Sequence, residues 1–124
     1  NVASTAAFQP GAFMANYYAS KAYVLHFTEA LAEELKGKNI KVSTLCPGPT
    51  LTGFQERANL EGALLLRGPL TMEAGPVAEK AVKGLKSGQV IIIPGILNWL
   101  LVQSVAFTPR FLIRKITAML NKTK

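Results

Sequence analysis

The chain has 124 residues, 49% of them hydrophobic, enough for one modest domain with a packed core, which excludes disorder as a starting point. One cysteine excludes a disulfide framework and a cysteine-clustered zinc site, and no metal-binding set is expected. The formal charge of +7 is uneven: Arg110, Arg114, Lys115, Lys122 and Lys124 stand together without an acid, leaving nine bases against seven acids elsewhere, which disfavours a whole-surface nucleic-acid binder.

Asn1 to Ala3 reads as part of a strand running into small polar residues at Ser4. Thr5 to Phe13, with Pro10 and Gly11, is expected as a loop. Its Phe8 and Phe13 suit either a substrate pocket or the core. A helix is predicted from about Met14 to Lys36, with Tyr17, Val24, Phe27, Leu31 and Leu35 on the apolar side, Glu29, Glu33 and Glu34 on the solvated side, and Gly37 as its stop. Tyr17 and Lys21 lie four apart and so share one helix face. A free tyrosine titrates near ~10 and is sluggish in proton transfer at neutral pH; a cation beside it favours the phenolate. That pairing makes Tyr17 a candidate acid/base, Lys21 its tuner and Ser4 a candidate hydrogen-bond partner for the oxygen that gains or loses the proton.

Lys38-Asn39 is expected to turn the chain into a strand, Ile40 to Cys46, whose terminal cysteine suits a small buried position. A helix feeding such a strand fits an α/β layer with a parallel sheet. The run Pro47-Gly48-Pro49-Thr50-Leu51-Thr52 then forms a rigid turn at the carboxyl end of that strand, where open α/β sheets hold ligands. Gly53 to Leu70 is expected to hold one or two short helices. Thr71 to about Leu85 reads as a helix ended by Gly84 or Gly88, with Gly84-x-x-x-Gly88 as a turn rather than a phosphate loop. Val90 to Ile93 reads as a short buried strand. Residues 96–124 form a separate tail. Ile96 to Phe107 is apolar but well short of the roughly 20 residues that span a bilayer. After Pro109, Phe111, Leu112, Ile113, Ile116, Met119 and Leu120 alternate with basic residues, as in a helix that lies on an anionic membrane or caps a core or partner subunit.

Ser4, twelve intervening residues, then Tyr17-x-x-x-Lys21 resembles the active-site signature of the short-chain dehydrogenase/reductases. The flanking Asn1-Val2-Ala3 and Tyr18-Ala19-Ser20-Lys21-Ala22 match it as well. Tyr18 is out of register, because Ala22 and not lysine follows it by four. The resemblance implies an α/β fold, the C-terminal half of a Rossmann-like doubly wound parallel sheet in three α/β/α layers over residues 1–95. It implies hydride transfer between NAD or NADP and a carbonyl or alcohol substrate. In that comparison Tyr17 transfers the proton, Lys21 lowers the phenol's pKa and holds the cofactor ribose, and Ser4 orients the substrate oxygen. Pro47, Gly48 and Thr50 then back the nicotinamide while Thr52 bonds its carboxamide. The family also implies a homo-oligomer through the 14–36 helix, a substrate lid over Gly53 to Leu70 and a cytoplasmic location, with peripheral membrane contact through 96–120 as the tail's own reading.

The glycines never make the family's Gly-x-x-x-Gly-x-Gly, nor is there an Asn-Ala-Gly run or the further catalytic asparagine. The resemblance thus covers only the second half of the family's domain, and the chain is expected to be a fragment, inactive alone, beginning inside the strand that carries Ser4. The alternative is a non-catalytic interaction module on the same scaffold; retention of Ser4, Tyr17 and Lys21 together argues against it. A nucleic-acid binder comes third.

Overall fold

The computed structural model describes residues 1–52 and 68–122. In chain order it contains a short 3-10 helix (Thr5–Phe8), α1 (Ala15–Glu34), β1 (Thr44–Leu45), β2 (Thr50–Leu51), β3 (Met72–Glu73), α2 (Ala74–Ser87), β4 (Ile91–Ile92), α3 (Ile96–Phe107) and α4 (Arg110–Asn121). The lid expected over Gly53 to Leu70 lies almost wholly outside the described residues.

All described strand pairs are parallel: β1 with β4 in one sheet, and β2 with β3 in a second, two-stranded one. Val2 bridges Leu45, and β1 pairs with β4 in the register Thr44 to Ile91 and Leu45 to Ile92. Ladder bonds from Ala3 N to Leu45 O (2.8 Å) and from Cys46 N to Ile92 O (2.8 Å) extend it toward the carboxyl ends. Parallel neighbours need a crossover, and α1 and α2 supply the two.

Alternation along β4 sorts its isoleucines onto opposite faces. Ile91 and Ile93 join Phe8 and Val24 around a core of Ala3, Ala7, Leu25 and Cys46, on the α1 side. Ile92, 1% exposed, turns the other way onto α2, so close that a Cβ on Gly84 would sit 2.6 Å from its Cδ1. The sheet is therefore covered by helices on both faces. Burial of Leu25 alone contributes about 1.5–3 kcal/mol. Cys46 is fully buried, as its place at the strand end suggested.

Several expectations are corrected. Regular pairing in the 40–46 strand is confined to Thr44–Leu45, where Thr44 N and Cys46 N bond Val90 O and Ile92 O; Asn39 turns at φ 55° and Ile40 is exposed. Met72–Glu73 is not the start of a helix but a strand, parallel to Thr50–Leu51, and α2 begins at Ala74. Met72 N bonds Pro49 O at 2.9 Å, so the Pro47–Thr52 turn recruits these residues before helical bonding starts. Gly84 is no turn residue; it lies within α2, which runs on to Ser87 and ends on Gly88 in the left-handed region at φ 78°. On α1 the buried positions are Tyr18, Leu25 and Thr28, while Phe27, expected inward, is exposed.

The carboxyl end of the sheet as a candidate active site

Ser4, Pro47 and Pro94 follow the carboxyl ends of the three parallel segments, which places their loops at one edge of the sheet. Ser4 caps the 3-10 helix: its Oγ accepts from Ala6 N at 3.1 Å and donates to Pro47 O at 3.4 Å. Thr5 N also donates to Pro47 O, at 2.9 Å. The Ser4 strand end and the Pro47 turn are thus bonded to each other.

Helix α1 begins after a tight loop in which Phe13 adopts φ 65°. Its first turn presents Tyr17, and its second turn presents Lys21. Lys21 Nζ stands 5.7 Å from the centroid of the Tyr17 ring, within cation–π range, and donates to Val2 O at 3.2 Å. One ammonium therefore touches both the candidate acid/base and the strand that leads into Ser4. The four-residue spacing puts both side chains on one face of α1.

Tyr18, set aside for its register, is structural. It is buried, its ring sits where a Cβ on Gly11 would approach to 2.2 Å, and it meets the Tyr17 ring edge-on at 6.0 Å between centroids. Its hydroxyl donates to Asn121 Oδ1 at 3.3 Å, and Asn121 Nδ2 donates to Ala12 O at 3.0 Å. The end of α4 thereby holds the loop that precedes Tyr17. Burial pushes the Tyr18 phenol above its usual pKa; the Asn121 bond pulls it partly back, and the nearby Tyr17 adds to the rise. Burial likewise raises the Cys46 thiol, against smaller lowering contacts from Thr44 and the Ser4 backbone.

In the Pro47–Thr52 turn, Thr50 Oγ1 donates to Gly48 O at 3.0 Å and braces the bend, while Thr52 lies exposed just past β2. Gly48 packs on Asn98: a Cβ there would sit 2.3 Å from Asn98 Oδ1. Asn98 Nδ2 donates to Leu70 O (3.0 Å) and Pro94 O (3.2 Å), so this one side chain joins the turn to β4 and to the segment before β3. The sequence reading missed Asn98 and Asn121. The only signal for Asn98 was a lone amide in the apolar first turn of α3, and for Asn121 nothing marked a partner 103 residues away.

Lys21 thus joins Tyr17 to the strand that leads into Ser4, and the Ser4 strand end is bonded in turn to the glycine-containing Pro47–Thr52 turn. Among the described residues no cluster suited to a metal ion occurs.

A family model described as short chain dehydrogenase matches residues 1–62. The chain is 45% identical over 51 residues to the uncharacterized oxidoreductase YvaG of Bacillus subtilis, a match covering 41% of this chain and 19% of that protein. It is 36% identical over 64 residues to a 3-oxoacyl-[acyl-carrier-protein] reductase of Synechocystis sp., covering 52% of this chain and 26% of that one. A solved short-chain dehydrogenase from Sphingobium yanoikuyae, in complex with NADPH, superposes with a TM-score of 0.68 at 26% identity, over 86% of this chain and 42% of its own. A second, from Mycobacterium paratuberculosis and bound to NAD, shares the fold at a TM-score of 0.54 and 23% identity, over 74% of this chain and 41% of its own. The matches thus span less than half of each relative. The fold is the Rossmann type of these structures, and the chain belongs to the short-chain dehydrogenase family.

Proposed function

We propose that the chain carries the proton-transfer and nicotinamide-facing portion of an NAD- or NADP-dependent oxidoreductase that interconverts a carbonyl and an alcohol. The observation that carries this reading is the Lys21 ammonium 5.7 Å from the Tyr17 ring centroid, beside the strand that ends at Ser4. The oxidoreductase names of the relatives and the NADPH of the Sphingobium structure support it.

A nicotinamide held at these strand ends would supply hydride to the carbonyl carbon in reduction and take it back in oxidation. Tyr17 gives the carbonyl oxygen its proton in the first direction and removes the alcohol proton in the second. Lys21, within cation–π range of the Tyr17 ring, would donate to the ribose hydroxyls. Ser4 donates to the substrate oxygen; its hydroxyl is held at the strand end by Ala6 and Pro47. Pro47, Gly48 and Thr50 would back a bound nicotinamide, and Thr52 would hold its carboxamide.

The reading includes two further elements. Turnover requires a pyrophosphate-binding unit beyond the described residues, so the 124-residue chain alone reduces no carbonyl. Self-association runs through α1, where Tyr23 and Phe27 are exposed and stack at 5.8 Å and 10°; a Phe27→Glu chain that sediments unchanged would remove that element.

In the whole protein, Tyr17→Phe is expected to lower kcat by at least about a hundredfold, the usual scale of a lost acid/base, with cofactor binding intact. Unchanged turnover would overturn the assignment and favour a non-catalytic module.

A further inference from the structure

Helices α3 and α4 carry an apolar surface that the candidate site does not use. The inward side of α3 holds Asn98 and Val102, both buried, while Ile96, Trp99, Leu100 and Phe107 are exposed, Phe107 by 87%. Helix α4 buries Ile113, Thr117 and Asn121, spaced by four, so its docked face is defined. Ile116 and Met119 remain exposed, Met119 by 77%. Isolated exposed apolar residues are ordinary, but here two successive helices, separated only by Thr108 and Pro109, each carry several.

Charge identifies the occupant. From Lys80 to Lys124 the sequence has eight lysines and arginines and no aspartate or glutamate. By the helical period, Arg110 and Arg114 flank the docked row of Ile113, Thr117 and Asn121, while Lys115 stands between Phe111 and Met119 on the exposed side and Lys122, also exposed, follows at the helix end. An exposed helix side that sets lysines among apolar side chains is suited to the boundary between anionic headgroups and acyl chains. A second copy is a poor occupant, since a two-fold contact would set this acid-free stretch against itself. Nucleic acid would use the charge and leave the apolar residues in water. No helix among the described residues is long and apolar enough to cross a membrane, so the contact is lateral.

We propose that α3 and α4 seat this face on a bilayer surface rich in anionic phospholipid. Apolar residues enter the acyl boundary, and the basic side chains engage headgroup phosphates. The contact holds the domain at the membrane whether or not the catalytic reading above is correct.

The test is cosedimentation of the chain with vesicles of equal parts phosphatidylglycerol and phosphatidylcholine at low salt, beside vesicles of phosphatidylcholine alone. Binding is expected to the anionic vesicles, to be much weaker on the neutral ones, and to fall as salt screens the charges. Lys115→Gln with Lys122→Gln is expected to weaken it more than about tenfold, at roughly fivefold per basic residue near the surface. Phe107→Asp with Met119→Asp replaces two exposed side chains and is expected to abolish it while circular dichroism stays native. No binding to anionic vesicles, equal binding to both kinds, or binding indifferent to either pair of substitutions would overturn the proposal. So would concentration-dependent dimers in light scattering that Phe107→Asp dissolves.

Discussion

The Tyr18 hydroxyl donates to Asn121 Oδ1 across 3.3 Å, joining the start of α1 to the end of α4 over 103 residues of sequence. Because Asn121 also bonds Ala12 O, the last turn of α4 fixes the loop from which Tyr17 emerges. Asn121→Ala leaves a buried phenol without its acceptor and should cost about 1–3 kcal/mol. In the whole protein the loosened loop should raise KM more than it lowers kcat. Thermal melts and steady-state kinetics read both, and an unchanged melting temperature would show that the contact contributes nothing.

Gly48→Ala tests the other junction. The new methyl would meet Asn98 Oδ1 at 2.3 Å, and Asn98 is tethered to Leu70 and Pro94 and cannot swing aside without losing those bonds. A loss of about 1–3 kcal/mol is expected, the usual scale of overpacking. Adding Asn98→Ala removes the clash, so the double variant should be more stable than the sum of the two single losses implies. Strict additivity in urea denaturation would mean that the turn avoids Asn98.

Phe13 holds φ 65°, a region that costs a bulky L-residue of order 1 kcal/mol or more, yet its side chain is 71% exposed and packs little. Phe13→Gly should therefore stabilise the fold by a few tenths to about 1 kcal/mol. If the loop before Tyr17 contacts substrate, the same change should raise KM. A destabilised Phe13→Gly protein would show instead that the side chain packs more than its exposure indicates.

Alkaline stability follows from the two raised groups. Tyr18 and Cys46 hold their protons more tightly folded than unfolded, so the unfolded chain releases them first, near the ordinary values of 10.0 and 9.0. Their contribution is fully present below about pH 9 and is lost as pH rises through and past those values. Stability measured from pH 8 to pH 11 should fall. Tyr18→Phe and Cys46→Ala should each flatten part of that slope while lowering stability at neutral pH. A slope identical in all three proteins would assign the loss to other groups.

Lys21→Met removes the cation from the Tyr17 ring and from Val2 O. In the whole protein it is expected to weaken cofactor binding and turnover together, unlike Tyr17→Phe. Fluorescence titration with the reduced dinucleotide separates the two variants, and intact binding in Lys21→Met would remove the lysine from the cofactor site.

Much of the site was legible because its logic is local. Tyr17 and Lys21 meet through helical spacing alone, and Pro47-Gly48-Pro49 announces a turn wherever it lies. What escaped the reading depends on distant partners. Met72–Glu73 is a strand only because Pro49 O and β2 are beside it; its own residues are ordinary for a helix start. Phe27 was placed inward from hydrophobicity, but the buried stripe of α1 runs through Tyr18, Leu25 and Thr28. Thr28 is tolerated there because its hydroxyl donates to Val24 O and accepts from Asn1 Nδ2.

The sequence by itself determined the alternation of helix and strand, a glycine stop for α2, met at Gly88 (φ 78°), and the pairing of a phenol with an ammonium, since each follows from backbone freedom and periodicity within a few residues; α1 ends earlier than its glycine suggested, at Glu34 with Leu35 as its cap. Only the tertiary structure decided which of two adjacent tyrosines is buried, which amides join the strand-end loops, and that α4 docks on α1. Those choices rest on hydrogen bonds and close packing between segments up to 109 residues apart, which no local pattern encodes.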